Sequence, residues 1–170
     1  NESLNYVILQ LIDDGDFKNR KIVVAEALLE SVIKDCGIKD YKKIHTLKGK
    51  EFKNTICNHP FVKIGYEHDI PMFEARFVTT EQGTGIVHCA PSHGPDDFNL
   101  CLNNGIKAVE TVDGDGKYTN NVKLFEGIHI FKANPIVIEK LNEQKNLLSD
   151  GELVHSYPHS WRSKAPLVHR

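Results

Sequence analysis

Apolar positions recur at helical spacing in three stretches of the chain. Ala25, Leu28, Leu29, Val32, Ile33 and Cys36 follow the i, i+3, i+4, i+7 pattern of one helix face, and Gly37 supplies the stop. A second helix is expected to open at Asn134-Pro135, with Asn as the cap and Pro at the first helical position. Its stripe continues through Val137, Ile138 and Leu141 toward Leu148, with Gly151 beyond. A third opens near Ser92 to Asp97 and closes at Asn104-Gly105. Between them lie short β-prone runs: Tyr6 to Leu11, Lys21 to Val24, Phe61 to Tyr66, Phe73 to Thr80, Gly85 to His88, Ile128 to Phe131 and Leu153 to Tyr157. Strands outnumber helices and do not alternate with them regularly, which argues against a doubly wound parallel sheet. The pattern predicts an α+β, strand-rich fold with a mixed or antiparallel sheet, open or closed into a barrel, and helices outside it.

Composition narrows the class. The chain has 170 residues, enough for a single domain that buries a core without staples. Hydrophobic residues at 40% and charged ones at 26% exclude long disorder. The longest apolar stretches, such as Tyr6 to Leu9 and Ile22 to Ala25, are too short to span a bilayer, so no membrane partner is expected. No secretory signal opens the chain, and the only Met is Met72, so a piece of a longer cytoplasmic polypeptide is expected. The net charge of −2 argues against a domain that grips a nucleic-acid backbone unaided. Cys36, Cys57, Cys89 and Cys101 stand 21, 32 and 12 positions apart, which is neither a zinc pattern nor a disulfide framework. Free thiols are expected.

The chemistry concentrates in one segment, Gly83-Thr84-Gly85-Ile86-Val87-His88-Cys89-Ala90-Pro91-Ser92-His93-Gly94-Pro95-Asp96-Asp97-Phe98. Acidic residues suit the first turn of a helix because they complement its dipole, so Asp96 and Asp97 have a ready structural reading. At roughly 100° per residue the two carboxylates diverge. Asp97 falls at the edge of the apolar stripe formed by Phe98, Cys101 and Leu102, while Asp96 points toward solvent. Asp97 is therefore the one placed to face a partly desolvated site, where a carboxylate can hold an ammonium group or position water. His88 and His93, taken singly, read as structural histidines. With Asp97 they approach a metal cluster, but H-x-x-x-x-H-x-x-x-D matches no recognised zinc spacing, and no metal is expected. Cys89 follows His88 on an expected strand, so the two would face opposite sides and make a poor nucleophile–base pair.

Two further patterns fall short of sites. Asp113-Gly114-Asp115-Gly116 begins like a calcium loop, but Lys117, Tyr118 and Leu124 occupy the positions that need an oxygen ligand, Gly and Glu. It reads as a turn. His155 and His159 stand four apart, yet the intervening segment lacks the zincin Glu and contains Pro158.

The Gly83–Phe98 segment resembles the signature of the editing domain inserted into isoleucyl-tRNA synthetases. His155-Ser156-Tyr157-Pro158-His159-Ser160-Trp161-Arg162-Ser163-Lys164-Ala165-Pro166-Leu167 is similar to the stretch where that insertion returns toward the synthetase core. His59-Pro60-Phe61 and Phe125-Glu126-Gly127 through Asn134-Pro135 add weaker echoes, so the likeness covers nearly the whole chain in family order. The sister domains of valyl and leucyl enzymes share the G-T-G run and the Asp at position 97, but typically differ at Gly94.

The resemblance implies a single editing domain over residues 1–170 of a longer synthetase, with 155–170 as its return segment and a β-barrel core with peripheral helices. It implies hydrolysis of the ester of valyl-tRNA(Ile) by a positioned water, and possible action on the valyl-adenylate. In this reading Asp97 binds the α-ammonium of the misattached valine, and His88 lines the pocket against the larger side chain. The backbone around Thr84 and Gly85 admits the terminal adenosine, with His93 and Gly94 as further substrate-binding residues. The implied partners are the 3′ end of tRNA(Ile) and the other domains of the synthetase, whose core uses ATP and Mg; this domain needs no cofactor. The family's pocket also uses a Thr-rich strand that precedes Asn1, for which Thr79-Thr80 is no substitute. Many relatives have Cys where Ser160 and Ser163 stand, so that end is not expected to bind metal.

Overall fold

The computed structural model describes residues 1–152, 156, 158–162, 164, 166 and 167. The expected strand at Leu153 to Tyr157 lies outside them except for Ser156, as do His155 and Ser163. The chain divides into two compact units, Asn1–His88 with Leu141–Asp150, and Cys89–Lys140 with Gly151–Arg170.

The first unit is built on a three-stranded antiparallel sheet in the order β2-β1-β3, from β1 (Asn5–Leu11), β2 (Lys21–Ala25) and β3 (Tyr41–Lys48). In β1, the central strand, Tyr6, Val7, Leu9 and Leu11 are all buried. The polar run Gly15 to Arg20 reverses the chain, so that Leu9 pairs with Ile22 and Val7 with Val24. The helix expected from Ala25 begins later: Ala25 ends β2, a 3-10 turn at Glu26–Leu28 adds Leu28, and helix α1 (Leu29–Asp35) adds Val32 to the core around Tyr6, Val7, Leu9, Val24 and Ala25. Burying each such aliphatic side chain contributes about 1.5–3 kcal/mol. The expected stop at Gly37 is met. Gly37 takes φ +62, its N–H bonds Lys34 O, and the N–H of Ile38 bonds Ile33 O, so the last carbonyls are satisfied.

Strand β3 was not anticipated, because its sequence, YKKIHTLK, shows no apolar alternation and is almost entirely exposed. It is an edge strand whose lysines suit an unpaired border. A second sheet pairs β4 (Ile56–Asn58) with β5 (Asp69–Pro71). The strand expected at Phe61 to Tyr66 is instead a 3-10 turn at Val62–Ile64. His59-Pro60 sets that turn. The N–H of Phe61 bonds His59 Nδ1 at 3.0 Å, and Val62 and Ile64 bond back three residues.

The α+β, strand-rich class holds, but the two sheets are open, and no barrel closes among the described residues. The runs at Phe73 to Thr80 and Gly85 to His88, which would supply closing strands, form no ladder. Thr84, just before the latter run, makes one backbone bond with β2, accepting the Ala25 N–H at 2.8 Å. The residue after it, Gly85, has φ +77, which carries the chain away from extended geometry.

In the second unit, α2 (Pro95–Asn103) starts at Pro95 after Gly94 as cap and ends in a left-handed Gly105. Helix α3 spans Ile130–Glu143, with Pro135 inside it rather than at its start. The first turn forms upstream because His129 anchors it: His129 O accepts the N–H of Lys132, and Nδ1 that of Phe131. Ala133 on that turn is 1% exposed, and Pro135, as the sixth residue of the helix, forgoes one intrahelical hydrogen bond. The expected strand at Ile128 to Phe131 is thus a helix start beside a single bridge, Lys117 to His129. No helix of the described residues is long and apolar enough to cross a membrane.

Candidate functional site

The six residues singled out divide between the units, with Thr84, Gly85 and His88 in the first and His93, Gly94 and Asp97 in the second.

In the first unit, Gly85 is buried and packs flush on β2. A Cβ built there would stand 2.5 Å from Ala25 Cβ, and the left-handed φ disfavours any side chain. The buried Tyr6 hydroxyl donates to Gly85 O at 2.8 Å. The second glycine of G-T-G therefore meets the protein's own sheet. Thr84 stays exposed, its hydroxyl turned onto the backbone of Ile86 at 3.2 Å. His88 is exposed. It adds to the forces on His59, whose pKa is lowered first by burial and then by the charges of His68 and His88.

In the second unit, Asp96 is exposed and Asp97 half-buried, as their helical positions require. Asp97 Oδ2 accepts the N–H of Ala90 at 2.8 Å, and the same carboxylate hydrogen-bonds the Cys89 thiol. Burial, then the nearby Asp97 charge, pushes that thiol up to about 11. At neutral pH Cys89 is a protonated donor, which removes it as a nucleophile. The third residue of α2 thus reaches back and pins the turn before it.

His93 is held by Thr111, with Nε2 and Oγ1 2.9 Å apart, and Ser92 Oγ donates to Val109 O at 2.6 Å. These bonds tie Pro91–Pro95 to the strip Ala108–Val112 and leave a cleft of about 710 Å³ between them, lined also by Phe98 and Asn99. His93 and Gly94 face this cleft. Asp97 does not line it. Thr111 and Val109 carry no motif, and no sequence signal marked them. The Asp113 segment is a turn: Asp113 Oδ1 accepts the N–H groups of Asp115 and Lys117, both at 2.9 Å. Among the described residues, no group of three or more His, Cys, Asp or Glu side chains could hold a metal.

The family model described as "Leucyl-tRNA synthetase, editing domain" matches residues 17–147, most of both units. The chain is 81% identical over its whole length to an isoleucine–tRNA ligase of Pelagibacter ubique. It is 40% identical over 98% of its length to those of Gluconobacter oxydans and Hahella chejuensis. The chain belongs to the editing-domain family of isoleucyl-type tRNA synthetases. It spans 19%, 19% and 17% of those three relatives' lengths, so it corresponds to one portion of each. The editing-domain match includes the cleft of the second unit, α2 and the Gly85 junction.

Proposed function

We propose that this domain hydrolyses the ester of valine misattached to tRNA(Ile), by a water placed on the valyl carbonyl carbon. The similarity of the full chain to isoleucine–tRNA ligases, joined to an editing-domain match over residues 17–147, carries the reading. Valine lacks one methylene of isoleucine, a difference that a hydrophobic pocket discriminates by only ~1–3 kcal/mol; this enzyme class is the standard illustration of that limit. A second, smaller site supplies the rest. In this role Asp97 holds the α-ammonium and His88 restricts the pocket. A carboxylate has roughly four acceptor positions, so the Ala90 and Cys89 contacts leave Asp97 capacity for an ammonium group. The ester is intrinsically reactive, and orienting it against water lowers the barrier without a covalent intermediate. The synthetase's other domains supply ATP-dependent ligation and most of the grip on tRNA in the cytoplasm.

The inward bonding of Asp97 favours a second reading, a module that positions the tRNA end without turnover. Asp97→Ala in the complete synthetase separates them. Valyl-tRNA(Ile) deacylation should be lost while isoleucylation persists; retained deacylation removes the role given to Asp97. A charged-adenosine analogue that binds without turnover, in wild type as in the variant, would install the second reading. Comparing this chain with one extended at its N-terminus measures what the Thr-rich strand adds.

A further inference from the structure

A second cleft, of about 380 Å³, lies wholly within the first unit. Arg20, Asn58, His59, Lys63, Gln144 and Asn146 line it, two cations and three amides with no carboxylate. Elsewhere Lys18 pairs with Asp14, Lys43 with Glu26 and Lys145 with Asp16. Among the described residues, neither Arg20 nor Lys63 has such a partner.

Arg20 is nevertheless held in place. Its guanidinium lies 5.0 Å from the centroid of the Phe17 ring, and Nη1 donates to Asn146 Oδ1 at 3.4 Å. Asn146 is fixed in turn, its Nδ2 donating to Pro60 O at 2.6 Å. The backbone is bent to present both residues. Asn19 and Lys145, just before Arg20 and Asn146, are two of the four described non-glycine residues with positive φ, at 66° and 55°. A left-handed lysine is strained, and such strain gathers at functional positions. His59 accepts the Phe61 N–H on Nδ1, which leaves the proton of the neutral ring on Nε2 as a donor.

We propose that this cleft is an anion subsite that takes a backbone phosphodiester of the bound tRNA, with Arg20 and Lys63 as its ligands. The proposal rests on the reading above, that this domain receives the tRNA's aminoacylated end. Fixed guanidinium and amide donors match phosphate oxygens, and a carboxylate-free lining leaves them uncontested. The cleft is many times the ~30 Å³ share of one water molecule and its cations are exposed, which suits a phosphate within a continuing chain. In a chain of net charge −2, affinity for RNA has to come from discrete sites of this kind.

The test measures tRNA(Ile) binding by the complete synthetase between 50 and 200 mM salt, for wild type, Lys63→Gln, Arg20→Lys and the double variant Arg20→Gln/Lys63→Gln. The double variant should bind roughly 3–10-fold more weakly at low salt, with a log–log salt slope shallower by about 1 per lost phosphate contact. KM for valyl-tRNA should rise with kcat unchanged, and Arg20→Lys should retain most of the slope. Lys63 makes no hydrogen bond or ion pair among the described residues, so Lys63→Gln reads the charge without disturbing the fold. Unchanged affinity and slope in Lys63→Gln and the double variant overturn the proposal. So does weaker binding with an unchanged slope. Inorganic phosphate that binds wild type but not the double variant, while tRNA binding stays equal, marks a free-phosphate site and also overturns it. Asp97→Ala distinguishes the two failures: loss of deacylation there alongside unaltered binding in the cleft variants removes this subsite and leaves the editing function standing.

Discussion

The two units are organised by different means. The first is a repeating structure in which β1 pairs on both edges and a contiguous set of buried side chains fills the space beneath α1. The second has two helices and, among its described residues, only isolated bridges such as Val112 to Tyr118. Its loops are held by single side-chain bonds, Asp97 to Ala90, His93 to Thr111 and Ser92 to Val109. A repeated ladder shares a defect among its neighbours, whereas a loop pinned by one bond moves when that bond goes. Conserving a precise cleft therefore depends on a few polar contacts in the second unit and on apolar volume in the first.

The largest expected effects lie in the sheet. Leu9→Ala, at a position of no exposure, should cost about 2–5 kcal/mol in urea denaturation. Close behind comes Gly85→Ala. It combines a left-handed φ, at about 1–2 kcal/mol, with a Cβ only 2.5 Å from Ala25 Cβ, at about 1–3 kcal/mol for overpacking. The double change Gly85→Ala/Ala25→Gly should recover the overlap portion only. Full recovery, or no cost from Gly85→Ala alone, would show that the G-T-G junction is not a packing element.

These predictions follow the same line that divides what the sequence discloses. Where many residues repeat one instruction, the chain is legible: β1, β2, the Leu29–Asp35 body of α1 with its Gly37 stop and a start of α2 between Ser92 and Asp97 stand where periodicity and caps place them, although Ala25, expected on the helix face, ends β2. Where one contact decides, it is not. Strand β3 hides behind lysines because an exposed edge imposes no alternation. Phe61 to Tyr66 looks β-prone until the His59 ring captures the Phe61 N–H. Pro135 reads as a helix start because its sequence cannot reveal the anchoring by His129. At the candidate site, the residues stood out through their family resemblance, and helical geometry set Asp97 apart from Asp96. The contacts of Asp97 with Ala90 and Cys89 could not be read, since they depend on a turn whose shape no periodicity encodes.

Asp97 tests the single-bond character of the second unit. Asp97→Ala strands a part-buried N–H on Ala90 and should cost about 1–3 kcal/mol, while Asp97→Asn keeps an acceptor and should cost less. Both changes remove the negative charge beside Cys89. The thiol should fall below its value of about 11, and alkylation of Cys89 at pH 9 should quicken several-fold with peptide-resolved mass spectrometry as the readout. An unchanged rate would mean that burial alone protects the thiol. A smaller effect is expected at Thr111→Val, where one exposed His93 bond is lost at about 0.5–1.5 kcal/mol.

The finest comparison uses pH, through one perturbed group in each unit, His59 in the first and Cys89 in the second. Burial, then His68 and His88, lowers His59 below its ordinary value of 6.5. A depressed value means that the unfolded chain binds the extra proton first, so this contribution is present above pH 6.5 and lost as pH falls through the folded value. Cys89 is the reverse. Its folded value of about 11 lies above the ordinary 9.0, so its contribution is complete below pH 9 and lost as pH rises toward 11. Limited proteolysis resolved by segment at pH 5, 7.5 and 10 should open the first unit preferentially in acid; in alkali the second unit opens through Cys89, and the first responds as well because burial raises Cys36 and Tyr6. His59→Gln should blunt the acid response, and Cys89→Ser the alkaline one. Both effects should be modest, since neither group is deeply buried and solvent screens its neighbours' charges. Simultaneous opening of both units in acid would mean that they unfold as one cooperative block, and the contrast between a laddered unit and a pinned one would then have no energetic content.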